Sequence, residues 1–289
     1  MRILVLRGGA LGDFLVSLPA LALLRDRWPD ARIELVGNLS AAALGLSARV
    51  LDAVHSQHEA RWGALYDSAP LPPAFTTVLA AFDLVVNYWP DPDGELRGKF
   101  PARPGQIFLA APAVPTLGPA AVHYCEPLRQ FGLAPDSLLF PLRVPAPEPR
   151  LVAIHPGSGS PRKNWPSARW LALAHWLERE LRADVLVISG EAEPDDLLAG
   201  VGRHLRNRPL GDLADQLARC RLFLGHDSGV SHLAASAGVP EILLFGPTDS
   251  AIWAPPSPNV RVLKSGSAVS AISLADVQHA VQLALPDLS

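Results

Sequence analysis

The chain has 289 residues, and its 25 Lys and Arg residues against 28 Asp and Glu residues give a net charge of −3, which argues against general binding to nucleic acid. Hydrophobic residues make up 49% of the sequence and prolines number 29, a composition that favours a compact core joined by stiff loops over disorder. Without an apolar run of about 18 residues, a signal peptide or closely spaced cysteines, the sequence indicates a reduced cytoplasmic protein of about two domains.

The first 37 residues predict a βαβ unit, whose two strands must be parallel. A continuous apolar run at residues 3–6 is typical of a strand that is buried on both faces. A glycine-rich turn follows, and the next apolar residues predict a helix over 14–28 and a strand over 33–37. We expect further strands at 50–54 and 84–86 and an irregular, proline-rich region at 87–119.

A second α/β half begins after residues 140–150, which carry four prolines and predict a stiff linker between domains. The predicted strands of this half are 151–155, 184–189, 222–224 and 242–245. The predicted helices are 167–181, one that starts at residue 194, 213–219, 228–237 and 274–285. Two doubly wound sheets are therefore expected, and their ligands should bind beyond the carboxyl ends of the strands.

The most informative turn covers residues 225–235, where the chain leaves a predicted strand and opens a helix. The first N–H groups of this helix would form an anion site, and Gly229 would let a phosphate approach the backbone. Ser228 and His232 are four residues apart and therefore share one face of the helix. An ordinary capped helix with Asp227 as its N-cap is an equally open interpretation.

A second turn, residues 155–166, combines glycine, serine and proline with Arg162 and Lys163. Such a loop can wrap a diphosphate by donating N–H groups and a positive charge. A plain loop with solvated cations is the alternative. Because the chain has only three lysines beside 22 arginines, Lys163 favours the specific role. The spacing of a Walker A motif is absent.

The third turn, residues 8–13, has glycines that resemble half of a dinucleotide fingerprint, but the GxGxxG pattern is not met. Asp13 stands where the following helix begins, and two interpretations are equally open. It is either a first-turn acid favoured by the helix dipole or a general base for a sugar hydroxyl.

Three further groups of residues are candidates on weaker sequence signals. Glu191 and Glu193 follow the strand at 184–189 and would either bind a ribose hydroxyl or be solvated. A zinc site at His226 and His232 is disfavoured, because no third ligand lies at a recognisable spacing. The loops of the first half carry cations that would either meet an anionic acceptor or be solvated: Arg61, Arg97, Lys99 and Arg103.

In combination, these turns resemble those of the bacterial lipopolysaccharide heptosyltransferases, glycosyltransferase family 9. The four matching motifs are LGDFLVSLPA at 11–20, the loop at 156–165, DSGVSHLAA at 227–235 and FGPTD at 245–249. The resemblance implies a GT-B fold, with two Rossmann-like domains that face each other across a cleft. Residues 1–145 would bind the acceptor and residues 150–272 the nucleotide-sugar, with a final helix at 274–286 that packs back on the first domain.

The resemblance also implies an inverting glycosyltransferase that moves a heptose or related sugar from an ADP-activated donor to a lipopolysaccharide-core or similar glycan. It implies no metal or other cofactor, an anionic glycan or glycolipid acceptor, and peripheral contact with the inner membrane. Asp13 would be the catalytic base and Lys163 would assist catalysis. Gly12 and Arg61 would contact the acceptor. The donor-site residues would be Ser158, Gly159, Lys163, Glu193, Asp227, Ser228, Gly229, Val230 and His232.

Three alternatives compete with this function. One is transfer from another nucleotide-sugar, such as a UDP-sugar, because no base-specific contact is identified. Another is a non-catalytic nucleotide-sugar-binding protein of the same fold, which would be expected to lack Asp13 or Lys163. A Rossmann dehydrogenase is disfavoured by the missing fingerprint and by the absence of a ribose-binding acid after the second strand.

Overall fold

The computed structural model describes residues 1–191, 193–194 and 198–288. It consists of two compact units, Met1–Phe140 and Pro141–Ser289. Among the described residues, no helix is long and apolar enough to cross a membrane.

The first unit is built on a five-stranded parallel sheet with the strand order β3-β2-β1-β4-β5. Its strands are β1 Arg2–Leu6, β2 Arg32–Gly37, β3 Ala53–Ser56, β4 Leu84–Asn87 and β5 Ile107–Ala110. Its helices are α1 Leu11–Leu15, α2 Leu18–Arg27, α3 Leu39–Ser47, α4 Ala60–Gly63, α5 Pro73–Ala80, α6 Glu95–Gly98 and α7 Ala120–Cys125. The strand order reverses between β1 and β4, which makes their carboxyl ends the point where ligands of such sheets bind.

The second unit has a six-stranded parallel sheet with the order β11-β10-β9-β6-β7-β8. Its strands are β6 Leu151–Ile154, β7 Asp184–Ser189, β8 Arg203–Arg206, β9 Leu222–His226, β10 Glu241–Phe245 and β11 Val260–Lys264. Its helices are α8 Ser167–Arg179, α9 Leu210–Leu217, α10 Gly229–Ser236, α11 Ser250–Trp253 and α12 Leu274–Ala284. Here the strand order reverses between β6 and β9, so the turns after these two strands flank the expected ligand site.

The central strands are buried on both faces, as their continuous apolar runs predict. Every residue of β6 is buried, and so are the last four of β1. Helix α12 was expected to pack back on the first domain. In the structure Val277, Ala280 and Val281 on this helix lie in the core cluster of the second unit.

The predicted pair of doubly wound α/β sheets is confirmed, but several element boundaries differ. The helix predicted over 14–28 is split into α1 and α2, and Pro19 lies in the first turn of α2, where proline is tolerated. Strand β3 starts three residues later than the predicted 50–54. The region expected to be irregular contains β5, and β8 and β11 were not predicted. The helix predicted from residue 194 falls on 195–197, outside the described residues.

Candidate functional site

Two turns meet at the switch point of the second sheet. The loop after β6 carries Lys163, whose Nζ donates a hydrogen bond to Oδ2 of Asp227, in the turn after β9, at 2.7 Å. The backbone N–H of Trp165 in the same loop donates to Nε2 of His226 at 2.8 Å. One ion pair and one buried hydrogen bond therefore join the loop at 155–166 to the turn at 225–235.

His155 and His226, which are buried at this point, are neutral at physiological pH. Nε2 of His226 accepts the Trp165 N–H, so this nitrogen carries no proton. Burial lowers the pKa of His226 to about 3 and that of His155 to about 4. Lys163, which is paired with the Asp227 carboxylate, and the N-terminal end of α10 are therefore the sources of positive charge where the two turns meet.

Helix α10 opens at this point with Ser228 as its N-cap. The Ser228 Oγ accepts the N–H of Ser231 at 3.4 Å, whereas the Asp227 carboxylate is paired with Lys163. The interpretation of Asp227 as the N-cap is therefore wrong. The N–H groups of Gly229 and Val230 precede the first intrahelical hydrogen bond, and both residues are only half-buried, so these donors can serve an anion.

His232 is buried in α10, in the turn of the helix that follows Ser228. Within the described ranges, no group of three or more His, Cys, Asp or Glu side chains could hold a metal ion.

Glu193 lies beside the loop after β6. Its Oε2 accepts the N–H of Gly190 at 2.6 Å, and Gly157 lies so close to its carboxylate that an added Cβ would stand 1.9 Å from Oε1. Gly157 therefore leaves room for this acid. The Ser158 hydroxyl is hydrogen-bonded within its own loop, to the carbonyl oxygen of Ser160 at 2.8 Å and to Asn164 at 2.6 Å. Gly159 is exposed, and a side chain there would meet no other atom within 4 Å.

In the first unit, Asp13 lies on α1, directly beyond the carboxyl end of β1. Its Oδ2 accepts the N–H of Ala10 at 2.9 Å, which is the local role expected of a first-turn acid. Its Oδ1 accepts a hydrogen bond from the buried Arg7 guanidinium at 2.9 Å, and Arg7 also donates to the Tyr124 hydroxyl at 2.9 Å. Gly9 has φ +100 and leaves no space for a Cβ beside the carboxylate. Asp13 is thus held at a fixed position, with 36% of its side chain exposed.

The cations of the first unit have partners within that unit. Arg61 pairs with Glu59 at 2.7 Å and lies 3.2 Å from Nδ1 of His55. The others proposed for an anionic acceptor also have contacts: Arg103 with Asp83, Lys99 with the carbonyl oxygen of Ala69, and Arg97 with the ring of Phe108. Gly12 lies on α1 next to Asp13.

Sequence reasoning did not single out Arg7, Tyr124 or Trp165. The position of Arg7 carried a signal, because a charged residue that ends a buried strand beside a glycine turn needs a partner. Tyr124 is more than a hundred residues from Arg7, and no local pattern indicates this contact.

Known proteins resemble this chain both in sequence and in fold. Residues 123–275, more than half of the chain, match the family model of glycosyltransferase family 9 (heptosyltransferase). Lipooligosaccharide heptosyltransferase 2 of Haemophilus influenzae is 27% identical over 125 residues, which are 39% of this chain and 36% of that protein. Lipopolysaccharide heptosyltransferase 1 of Pseudomonas aeruginosa is 34% identical over 107 residues, 35% of this chain and 30% of that protein. These alignments cover about a third of each curated relative.

Solved structures match over nearly the whole chain. A family 9 glycosyl transferase from Veillonella parvula superposes with a TM-score of 0.78 at 22% identity, covering 99% of this chain and 97% of that one. The E. coli heptosyltransferase WaaC with ADP superposes with a TM-score of 0.76 at 19% identity, covering 98% and 100%. At these identities the likeness concerns the fold, and the predicted GT-B fold is confirmed.

Proposed function

The chain belongs to glycosyltransferase family 9, and from this premise we propose that it is an inverting glycosyltransferase that moves a heptose from an ADP-activated donor to a lipopolysaccharide-core or similar glycan. The observation that carries the proposal is the meeting of the Lys163 loop with the N-terminus of α10 at the switch point of the second sheet. A cation and free helix N–H groups at one point suit the diphosphate of a nucleotide-sugar.

The leaving group would be bound by the second unit. The N–H groups of Gly229 and Val230 would donate to the diphosphate, and Lys163 would contribute a positive charge where negative charge grows as the glycosidic bond breaks. Lys163 is paired with Asp227 before the donor arrives, so its ammonium is already held in place. Glu193, whose position depends on the Gly157 backbone, would accept hydrogen bonds from the ribose hydroxyls.

The attacking group would be activated in the first unit. Asp13 would take the proton of the acceptor hydroxyl. The oxygen of that hydroxyl would attack the anomeric carbon from the face opposite the leaving diphosphate, and the bond from this carbon to the diphosphate would break. Such transfer passes through an oxocarbenium-like transition state. Arg7 and the Ala10 N–H hold the carboxylate while leaving part of it exposed, which fits a base that must reach a substrate.

ADP and heptose are proposed from the relatives. The similar structures include an E. coli heptosyltransferase with ADP and one with ADP-2-deoxy-2-fluoro heptose. We propose the same nucleotide and the same sugar for this chain. We also propose that the reaction needs no metal, and that the acceptor is an anionic glycan or glycolipid at the inner face of the inner membrane. Metal independence fits a site in which a helix end and a lysine supply the positive charge.

A nucleotide panel tests the donor assignment. At an ADP concentration one hundred times its Kd, binding raises the free energy of unfolding by about 2.7 kcal/mol. We therefore expect ADP to raise the melting temperature by about 5 °C. UDP, GDP, CMP and NAD should have little effect, and EDTA should not change the ADP shift. A larger shift with UDP would favour the alternative of a UDP-sugar donor, and a shift with NAD but not ADP would refute glycosyl transfer.

A further inference from the structure

A cavity of about 610 Å³ lies at the carboxyl ends of β4 and β5 in the first unit. Its volume falls within the range of about 300–1,000 Å³ that is typical of small-molecule sites. Its walls consist mainly of prolines and alanines, with one valine and the indole of Trp89. Asn87 and Asp91 are its polar side chains, and Asp91 is the charged one.

One wall of this cavity is connected to Asp13 by three consecutive hydrogen bonds. The Arg7 guanidinium donates to Asp13 Oδ1 and to the Tyr124 hydroxyl, both at 2.9 Å. The Tyr124 hydroxyl donates in turn to the carbonyl oxygen of Ala113, in the cavity wall, at 3.1 Å. Burial raises the pKa of Tyr124, so the hydroxyl keeps the proton that it donates. Two buried side chains, Arg7 and Tyr124, therefore link the wall of the cavity to the proposed catalytic base.

Another part of the lining is Trp89, an aromatic residue held in a fixed position. Trp89 borders the turn that carries Asp13, since its Nε1 lies 3.2 Å from the place that a Cβ on Gly8 would occupy. The buried Asn87 binds the Trp89 backbone on both sides, at 3.0 Å to its N–H and 3.2 Å to its carbonyl oxygen. Tyr66 stacks on the indole with 6.3 Å between ring centroids and donates to the carbonyl oxygen of Pro90 at 2.9 Å. Tyr66 and the core cluster against which Trp89 packs thus hold the half-buried indole in place, and the part of Trp89 that they leave uncovered lines the cavity.

The chemistry of the walls selects against negative charge. The carbonyl oxygens of Pro112 and Ala113 already accept hydrogen bonds from His123 and Tyr124. The Asp91 carboxylate accepts two N–H groups at the start of α6, from Leu96 at 2.9 Å and from the next residue at 3.1 Å. Its remaining lone pairs can accept a hydroxyl, whereas an anion would be repelled.

We propose that this cavity is an acceptor subsite for an uncharged sugar residue, stacked on Trp89 by the apolar face of its ring. The proposal rests on the glycosyl transfer proposed above, and it assigns the substrate class of the Asp13 side of that reaction. A pyranose ring presents C–H groups on its face and hydroxyls at its rim. It therefore matches an indole, apolar walls and one hydrogen-bond acceptor. The negative groups of an anionic acceptor would bind outside this cavity.

The test measures binding to the full chain without any donor, by saturation-transfer NMR. The probes are methyl α-mannopyranoside as a neutral sugar, methyl glucuronopyranoside as an anionic one, and 1-hexanol as a mainly apolar alcohol without a sugar ring. The variants are Trp89→Ala and Trp89→Phe. Trp28→Ala is the matched control, because Trp28 is a half-buried tryptophan of the same unit that packs on Phe131 rather than on the cavity.

We expect a saturation-transfer signal from the mannoside with the wild type and with Trp28→Ala. This signal should be at least fivefold weaker with Trp89→Ala and partly restored with Trp89→Phe. The glucuronoside should give a weaker signal than the mannoside. An unchanged mannoside signal in Trp89→Ala would overturn the proposal, and so would hexanol binding that depends on Trp89 without mannoside binding. Because no donor is present, failure here leaves the nucleotide panel unaffected. Failure of that panel, conversely, leaves this result standing.

Discussion

Replacing Gly157 with alanine tests how the donor loop and Glu193 depend on each other. A Cβ at Gly157 would lie 1.9 Å from Oε1 and 2.4 Å from Cδ of Glu193. Such contacts are hardly ever shorter than 3.0 Å, so the carboxylate must retreat by more than 1 Å. The carbonyl group of Glu193 would stay, because Arg206 donates to its oxygen at 2.9 Å. The side chain is therefore what moves.

The displaced carboxylate loses its 2.6 Å hydrogen bond to the Gly190 N–H and its proposed contact with the ribose. A hydrogen bond to a charged group contributes about 1.5–3 kcal/mol when both groups are shielded from water. Because Glu193 is only half-buried, we take about 1.4 kcal/mol, just below this range. This corresponds to a tenfold rise in the Kd for ADP.

Isothermal titration calorimetry with ADP measures this effect, and Gly159→Ala is the matched control in the same loop. A Cβ at Gly159 meets nothing within 4 Å, so its Kd should stay within about twofold of the wild type. The double variant Gly157→Ala/Glu193→Ala adds a second criterion. If displacement of Glu193 is the whole effect, the two losses do not add. Equal affinities of Gly157→Ala and Gly159→Ala would refute the reasoning.

Three further predictions follow from contacts in the two units. Lys163→Ala should weaken ADP binding about tenfold or more, as measured by calorimetry. Lys264→Ala removes an exposed lysine of the same unit and should leave the Kd unchanged; equal losses in the two variants would contradict the assignment. Arg7→Met should lower the free energy of unfolding by about 2 kcal/mol in urea titrations, because the Tyr124 hydroxyl and Asp13 lose a buried donor; no change would show that this network contributes nothing. Burial raises the pKa of Glu241 well above its usual range, and neither of its oxygens has a hydrogen-bond partner among the described residues. The folded state thus keeps a proton that the unfolded state releases above pH about 4.5, and holding this proton lowers the free energy of unfolding at pH 7. Glu241→Gln should therefore stabilise the protein at pH 7 but not near pH 4. A gain in stability that does not depend on pH would refute the assignment.

Much of the fold follows from local patterns. The apolar runs of β1, β6 and β9 and the glycine-rich turns after them are sufficient to predict parallel sheets and the edge at which ligands bind. The strands that were missed lack this signal. Strand β8 contains one apolar residue, Leu205, and β5 is an edge strand with two exposed residues, set between prolines.

The candidate site was predictable where it lies within a turn. The Ser228 and Lys163 turns were identified from their composition, and the structure brings them together through the Lys163–Asp227 pair. The contacts between distant segments were not predictable, because nothing near Arg7 indicates Tyr124 and nothing near Gly157 indicates Glu193. Such pairs form because the order of strands in the sheet brings distant segments together, and the spacing of residues within one segment does not predict that order.

The central claim, that Asp13 activates an acceptor hydroxyl for transfer, is tested most directly by the turnover of Asp13→Asn. The assay follows ADP release from ADP-heptose with heptose-deficient lipopolysaccharide as the acceptor, alongside the Kd for ADP. We expect transfer by the wild type and a rate about 10²–10⁴-fold lower in Asp13→Asn, with a Kd for ADP within about twofold of the wild type. Turnover that survives nearly intact in Asp13→Asn would contradict the claim.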